Sequence, residues 1–415
     1  MRPSESSNSR KSSARTAQAV TWLCRVVVGA AFIAGGWAKC IDPYGTMYKM
    51  LEYLAAMGVH AMPHEVVIMA AVSLGALEFG IGVCVLCGVL RHSAAVAASA
   101  VMCFMLPLTA YILIADPVAD CGCFGDMLVV SNTATFLKNI VLSAACVWLL
   151  LRGNNCAGVF GRDLQWVVVL STLVYALTLA AAGYNVQPLV DFRDYPLGTD
   201  MAGSSDGEDM LGLIYRKDGV EKVFQENDIP DSTWTYVGLY GDEPAAEGAF
   251  AVFDTAGEEV PVFESEGDRL VFVVPDPGEH FLTRSRYTNE LAGYAAAYGV
   301  DAAVIVGTSP EGLREWALLA APDFAAYCAD DTDLKTLVRG DIAAVYIRDG
   351  RILWKRNLAS LDTELLDKAT PGHNVLADVD RIDDGRAIRL LSGIYLGLLL
   401  VLAAATGVVR FVRRR

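Results

Sequence analysis

The chain of 415 residues is 54% hydrophobic and only 20% charged, with a mean hydropathy of +0.38 and a formal net charge of -15. That apolar content excludes a disordered chain, and its bunching into long uncharged runs excludes a wholly soluble one. Residues 184–386 alone carry 39 Asp and Glu against 17 Lys and Arg, so nucleic acid is excluded as a partner there, because phosphate would be repelled.

Six runs are long and apolar enough to cross about 30 Å of hydrocarbon, which takes around 20 helical residues: 18–38, 65–90, 93–115, 136–151, 166–183 and 388–409. The fourth is the shortest. The flanking cations Arg2, Arg10, Lys11, Arg15, Arg91, Arg152, Arg162, Arg410, Arg413, Arg414 and Arg415 fall on one side if all six span. Cations stay in the cytoplasm. Both termini, including a tail over 1–16, are therefore expected there, and the segment 39–64, the loop 116–135 and the acidic region are expected in the periplasm. No small-x-small cleavage site follows the first run, so it reads as a retained helix in the lipid bilayer.

Topology sorts the ten cysteines. Cys24, Cys84, Cys87, Cys146 and Cys156 fall in the cytoplasmic half, Cys103 near mid-membrane, and Cys40, Cys121, Cys123 and Cys328 on the oxidising side. Only there do disulfides persist. The run Asp120-Cys121-Gly122-Cys123-Phe124-Gly125-Asp126 is the sharpest chemical feature. A Cys-x-Cys disulfide closes a small ring, and strained bonds suit exchange rather than bracing. Asp120 and Asp126 are expected to oppose this by raising thiol pKa. Cys40 reads as a resolving third thiol with Lys39 favouring its thiolate, or as a small interfacial residue. Cys84 and Cys87 have Cys-x-x-Cys spacing, but Ala76, Gly80, Cys84 and Gly88 form an i, i+4 stripe of small residues, which points to helix packing instead.

Arg25 in the first span and Glu78 in the second are costly in lipid and should turn inward or pair, directly or through water. As a functional pair they would carry protons or bind a quinone head group; as a structural one they would fix helix register. Met47, Met50, Met57, His60, Met62 and His64 could suit Cu(I). Tyr44, Met47, Tyr48, Leu51, Leu54 and Gly58 nevertheless repeat at helical spacing, which an interfacial helix explains, and no metal site is assigned.

Arg25, Gly29, Phe32, Gly36 and Lys39, then Asp42-Pro43-Tyr44-Gly45, then Glu78, Gly80 and Gly82, then Cys121-Gly122-Cys123-Phe124-Gly125 resemble the DoxX/MauE group of membrane proteins over about residues 17–152. The resemblance implies a four-helix bundle that assists maturation and disulfide formation of methylamine dehydrogenase. More distant relatives are linked to thiosulfate oxidation with quinone as acceptor. Phe136-Leu137-Lys138-Asn139 and Asp231-Ser232-Thr233-Trp234-Thr235 also resemble uncharacterised multi-domain members from Bacteroidetes.

After a fifth helix over 163–184, residues 185–265 read as β-rich, with hairpins over Leu213–Phe224, turning on Asp218-Gly219, and over Phe250–Phe263, turning near Ala256-Gly257. Residues 266–370 resemble a thioredoxin-like α/β domain: strand Leu270–Val274, helix Thr283–Tyr298, strand Ala302–Gly307, helix Pro310–Leu319, helix Leu334–Arg339, and a hairpin of Ile342–Ile347 with Ile352–Lys355. A sixth transmembrane helix over 388–409 closes the chain. Pro275-Asp276-Pro277-Gly278 stands where a catalytic thioredoxin has Cys-x-x-Cys, and no proline precedes Ile342, so no dithiol cycle is expected in this domain. Cys328 reads as a buried structural thiol and His280 as a surface residue.

The leading expectation is a membrane thiol/disulfide oxidoreductase in which Cys121 and Cys123, with Cys40, exchange disulfides with a thiol-bearing periplasmic client or relay protein. Quinone is the electron acceptor, served by Glu78 and Arg25. The alternative is a non-catalytic scaffold or assembly factor that recruits partners through the degenerate domain.

Overall fold

The computed structural model describes residues 4–413 apart from 60–61, 116–117, 119–120, 129, 154–155, 189, 202–211, 218–219, 225–234, 241–249, 264–265, 362–372 and 380–383. The chain divides into two compact units, one of residues 1–192 with 382–415 and the other of residues 193–381.

The first unit holds six helices long and apolar enough to cross a membrane. They lie within α1 (Ser4–Ile41), α3 (His64–Cys87), α4 (Arg91–Ala115), α5 (Asn132–Arg152), α6 (Gln165–Asn185) and α10 (Asp384–Val412), while α2 (Pro43–Ala56) is a shorter helix beside them. Local chemistry sets the ends. Asp42 accepts from the Gly45 amide with Pro43 in the first turn of α2, Gly88 in the left-handed region closes α3, and Ser131 accepts from the Ala134 amide to start α5 four residues before the apolar run at 136. Met47 is buried in α2, whereas Met57 is largely exposed, so the helical spacing accounts for the first of these methionines.

The closest packing is between α1 and α3. A Cβ on Gly36 would lie 2.2 Å from the Phe79 amide nitrogen, and one on Gly82 would lie 2.6 Å from that of Ile33. Only glycine permits such backbone approach in lipid, where packing rather than the hydrophobic effect joins helices. Of the expected stripe, Ala76 and Cys84 pack in the cluster with Phe79 and Tyr175 and Gly88 packs against Gly158, but Gly80 is corrected: a Cβ there would meet nothing within 4 Å, and the α1–α3 contact runs along Gly29, Gly36, Gly75 and Gly82. Around this pair, α4 and α5 pack on one side through Phe32, Ala98, Met102, Leu142 and Cys146, and α6 and α10 on the other through Phe79, Tyr175, Leu179 and Tyr395.

The second unit contains a five-stranded mixed sheet of order β6-β5-β4-β7-β8. Its elements are β4 (Asp268–Val274), α7 (Glu279–Ala297), β5 (Asp301–Gly307), α8 (Pro310–Ala320), β6 (Ala325–Ala329), α9 (Asp331–Leu337), β7 (Ala343–Arg348) and β8 (Arg351–Asn357). Strands β4, β5 and β6 are parallel, while β7 runs antiparallel to both β4 and β8. Alternation along β4 explains the two buried faces: Leu270, Phe272 and Val274 join the cluster under Leu291, Leu313 and Trp316, and Val271 and Val273 join Leu334 and Leu337. The hairpin turns on Asp349 and Gly350, both at positive φ.

Residues 250–263 pack on the same sheet through Val252, Val262 and Phe263. Phe253 exchanges two backbone hydrogen bonds with Cys328, so that cysteine sits inside β6, a strand absent from the expected order, and burial pushes its thiol up. Gly278, not cysteine, precedes α7. A separate three-stranded antiparallel sheet, β2-β1-β3, comprises β1 (Gly212–Lys217), β2 (Val220–Phe224) and β3 (Thr235–Tyr240). The β1–β2 hairpin stands where the sequence places it, with its turn residues 218–219 outside the described residues; so are 231–234.

Candidate functional site

The loop between α4 and α5 carries the Cys-x-Cys pair. Gly122 and Gly125 adopt φ of +63° and +54°, values that favour glycine, and the Gly125 amide donates to the Gly122 carbonyl at 3.1 Å. This tight turn brings the two sulfurs face to face at 2.8 Å. Cys121 is buried, whereas Cys123 is partly exposed.

Three elements hold the turn. The Tyr53 hydroxyl of α2 donates to the Cys121 carbonyl at 2.8 Å, and the Lys49 stem lies over Gly122, where a Cβ would come within 3.0 Å of it. From α1, Lys39 Nζ donates to the Cys123 carbonyl at 2.8 Å and to Glu78 Oε2 of α3 at 2.7 Å. Both side chains of that ion pair are under one-tenth exposed, and breaking such a pair costs about 3–5 kcal/mol. From α5, Lys138 Nζ stands 4.2 Å over the Phe124 ring. Below it, the buried Asn139 amide donates to Thr109 of α4 at 3.3 Å.

These surroundings divide the two thiols. Cys121 is pushed up, first by the hydrogen bond it shares with Cys123 and then by burial. Cys123 is pulled down by that same hydrogen bond and by Lys138 and Lys39, against its own burial and Glu78. Either sulfur can donate to the other, and Lys138 and Lys39 favour the negative charge on Cys123. The side chains of Asp120 and Asp126, expected to raise the thiol pKa, lie outside the described residues; among the described groups, Lys138 and Lys39 pull Cys123 down.

Other expected site residues fall elsewhere. Cys40 is fully buried against α3, where a Cβ on Gly75 would lie 3.2 Å from its sulfur, and it packs in the α6 cluster. Adjacent helical positions diverge by ~100°, so Lys39 faces the thiol pair and Cys40 does not. The pairing of Arg25 with Glu78 is also corrected. Arg25 lies fourteen residues from Lys39, about 21 Å along α1, and donates to the carbonyls of Gly153 and Cys156 at 2.9 and 3.0 Å and to that of Ala157 at 3.1 Å. Among the described residues no cluster of three His, Cys, Asp or Glu is placed to hold a metal ion.

A cavity of about 40 Å³ reaches this centre, walled by Phe32, Met102, Met105 and Leu142 and floored by Lys39, Glu78, Cys123 and Lys138. That room suits a few waters, not a quinone ring. Sequence reasoning linked Lys39 to Cys40 and missed its bond to the Cys123 carbonyl, and it gave Lys49, Tyr53 and Lys138 no chemical role. Helical periodicity could have flagged Lys39, which lies one turn beyond Gly35, the small residue over the Cys123 carbonyl.

Residues 17–152 match the family model described as methylamine utilisation protein MauE. The membrane segment is MauE-like. A second model, a domain of unknown function (DUF8463), matches residues 212–240, outside the MauE-like segment. No curated protein matches the chain. Among solved structures, a peroxiredoxin-like protein from Aquifex aeolicus aligns at 17% identity over 29% of this chain and 80% of its own, with a TM-score of 0.24. The bacterioferritin comigratory protein of Xanthomonas campestris aligns at 14% identity over 30% and 89%, with the same TM-score. The cysteine turn, Lys39, Glu78 and Lys138 all lie within the MauE-like segment.

Proposed function

We propose that the chain is a membrane thiol/disulfide oxidoreductase whose working pair is Cys121 and Cys123. The observation that carries this reading is the face-to-face pair of sulfurs with the more exposed one set beside Lys39 and Lys138. Cys123 thiolate attacks a client disulfide, forming a mixed disulfide and releasing one client thiolate. Cys121 then loses its proton to water and attacks Cys123, releasing the second. Run in reverse, the same steps oxidise a client dithiol, and the pair then passes two electrons and two protons to a quinone.

The flanking cations support cytoplasmic termini, with the thiol pair and the second unit in the periplasm. The order of strands and helices from β4 to β8, with no cysteine at the β4–α7 turn, supports a thioredoxin-like domain that docks the client and leaves the chemistry to the MauE-like segment. The client is a periplasmic protein with thiols, and the matched family description offers methylamine utilisation as its setting. For the acceptor, an apolar groove of about 580 Å³ walled by Trp37, Phe79, Tyr175 and Tyr395 has the size for a quinone ring, which the smaller cavity at Glu78 lacks.

The test is thiol trapping in intact cells and isolated membranes. Cys121→Ser should accumulate a mixed disulfide on Cys123, and Cys123→Ser should abolish exchange. Full function of the double serine variant would remove this reading and leave a non-catalytic scaffold in its place.

A further inference from the structure

The two cysteines are chemically alike, yet among the described residues it is Cys123 whose peptide is bonded to the buried ion pair of α1 and α3, while Cys121 packs against Met105, Leu108 and Ile112 of α4. Lys39 reaches the Cys123 carbonyl and Glu78 at once, and the three groups meet at Gly35, where a Cβ would lie 3.0 Å from the Cys123 oxygen and 3.4 Å from Glu78 Oε2. Among the described residues, the Cys121 carbonyl receives a neutral tyrosine hydroxyl instead. A buried ammonium beside one sulfur favours its thiolate. A buried carboxylate behind that ammonium both fixes its position and opposes its field.

We infer that Lys39 and Glu78 form a positioning pair that assigns the attack to Cys123. Lys39 grips the Cys123 peptide and brings a positive charge to its sulfur; Glu78 holds Lys39 in place and limits how much of that charge the sulfur feels. Among the described residues, the charged and titratable groups around Cys123 are then Lys39 from α1, Glu78 from α3, Lys138 from α5 and Cys121 in its own turn, with Lys49, Glu52 and Tyr53 of α2 beside the turn. This inference rests on the exchange reading of the pair, but it makes a separate demand: the two members must act on Cys123 with opposite sign.

The test is site-resolved alkylation of Cys123 by iodoacetamide in the full-length, detergent-solubilised protein, followed by fragment mass spectrometry from pH 5 to 10. At pH 7, Lys39→Met should slow Cys123 about threefold or more, and Glu78→Gln should speed it by a similar factor. Lys39→Arg keeps the charge and should stay within about twofold of the native rate. If the first two variants do not accumulate, Glu78→Asp, which shortens the acid arm, should still speed Cys123. A purely structural pair would loosen the turn in either variant and move both rates the same way, and that result, or unchanged rates, overturns the inference. Failure of the native pair to exchange with a small disulfide would instead overturn the exchange reading and leave the alkylation result standing.

Discussion

Replacing Gly36 by alanine should break the α1–α3 contact, while the same change at Gly80 should not. The added Cβ at residue 36 would lie 2.2 Å from the Phe79 amide nitrogen, 2.7 Å from its Cα and 2.9 Å from the Gly75 carbonyl. Comfortable contact begins near ~3.5 Å, so the helices would have to separate by about an ångström against rigid backbone. Overpacking of that kind costs about 1–3 kcal/mol. The Lys39–Glu78 bond lies within a turn of the clash on both helices, and stretching it from 2.7 Å by a similar amount takes it past hydrogen-bond range. Losing a charge-assisted hydrogen bond adds about 1.5–3 kcal/mol. Gly80 has nothing within 4 Å of its Cβ direction, and alanine there gains roughly 0.5–1 kcal/mol of helix propensity. Thermal unfolding of the purified protein in detergent, with membrane abundance as a second measure, should show Gly36→Ala strongly destabilised and Gly80→Ala at or slightly above the native midpoint. Equal behaviour of the two variants would refute this account of the interface.

Lys138→Met removes the cation that pulls both cysteines down. Cys123 should then reach half-maximal alkylation at higher pH and react several-fold more slowly at pH 7; an unshifted profile in quantitative alkylation would show that Lys138 serves only to pack on Phe124. Arg25→Met leaves the Gly153 and Ala157 carbonyls without this donor, while the Cys156 carbonyl keeps Arg91 at 2.7 Å, so the thermal midpoint should fall, at about 2 kcal/mol or more, while the pH profile of Cys123 stays in place. A shifted profile would show that Arg25 and Lys39 are coupled along α1.

Hydropathy made the six spans legible, because a membrane-crossing helix must be apolar over its whole length. The β7–β8 hairpin was legible for a different reason: an Asp-Gly pair accepts the two positive φ values that a tight turn demands. Strand β6 was not, since Ala325, Ala326 and Ala329 carry little β preference and their conformation is imposed by pairing with β5. The helix expected over 334–339 begins earlier because Asp330 accepts from the Thr332 amide and caps it there. At the candidate site the cysteines were legible and the partner of Glu78 was not. Arg25 and Lys39 lie almost four turns apart, so they share a face of α1 and periodicity cannot choose between them. The choice is made by the axial register with α3, in which Gly29 meets Leu86, Gly36 meets Phe79 and Cys40 meets Gly75. That register places Glu78 level with residues 35–39, and it is fixed by which glycines touch, a property of both helices together.

The same helix therefore carries two buried cations at two loops, and the difference between them separates structure from chemistry. Arg25, near the middle of α1, is met by the carbonyls of Gly153, Cys156 and Ala157, and a guanidinium that spends its donors on neutral backbone oxygens has its geometry fixed and its charge spread over several dipoles. Lys39, in the last turn, divides one compact charge between a carboxylate and a single carbonyl, and the residue that owns the carbonyl also owns a titratable sulfur. Any change in the charge on that sulfur is felt by the ammonium, and any shift of the ammonium moves the peptide that bears the sulfur. A buried ammonium needs a counter-charge in a low-dielectric site, and Glu78 supplies it, but that carboxylate also weakens the thiolate beside it. Its presence is accounted for if the pair must hold Lys39 on the turn and at the same time keep Cys123 from being so stabilised as a thiolate that it loses nucleophilicity.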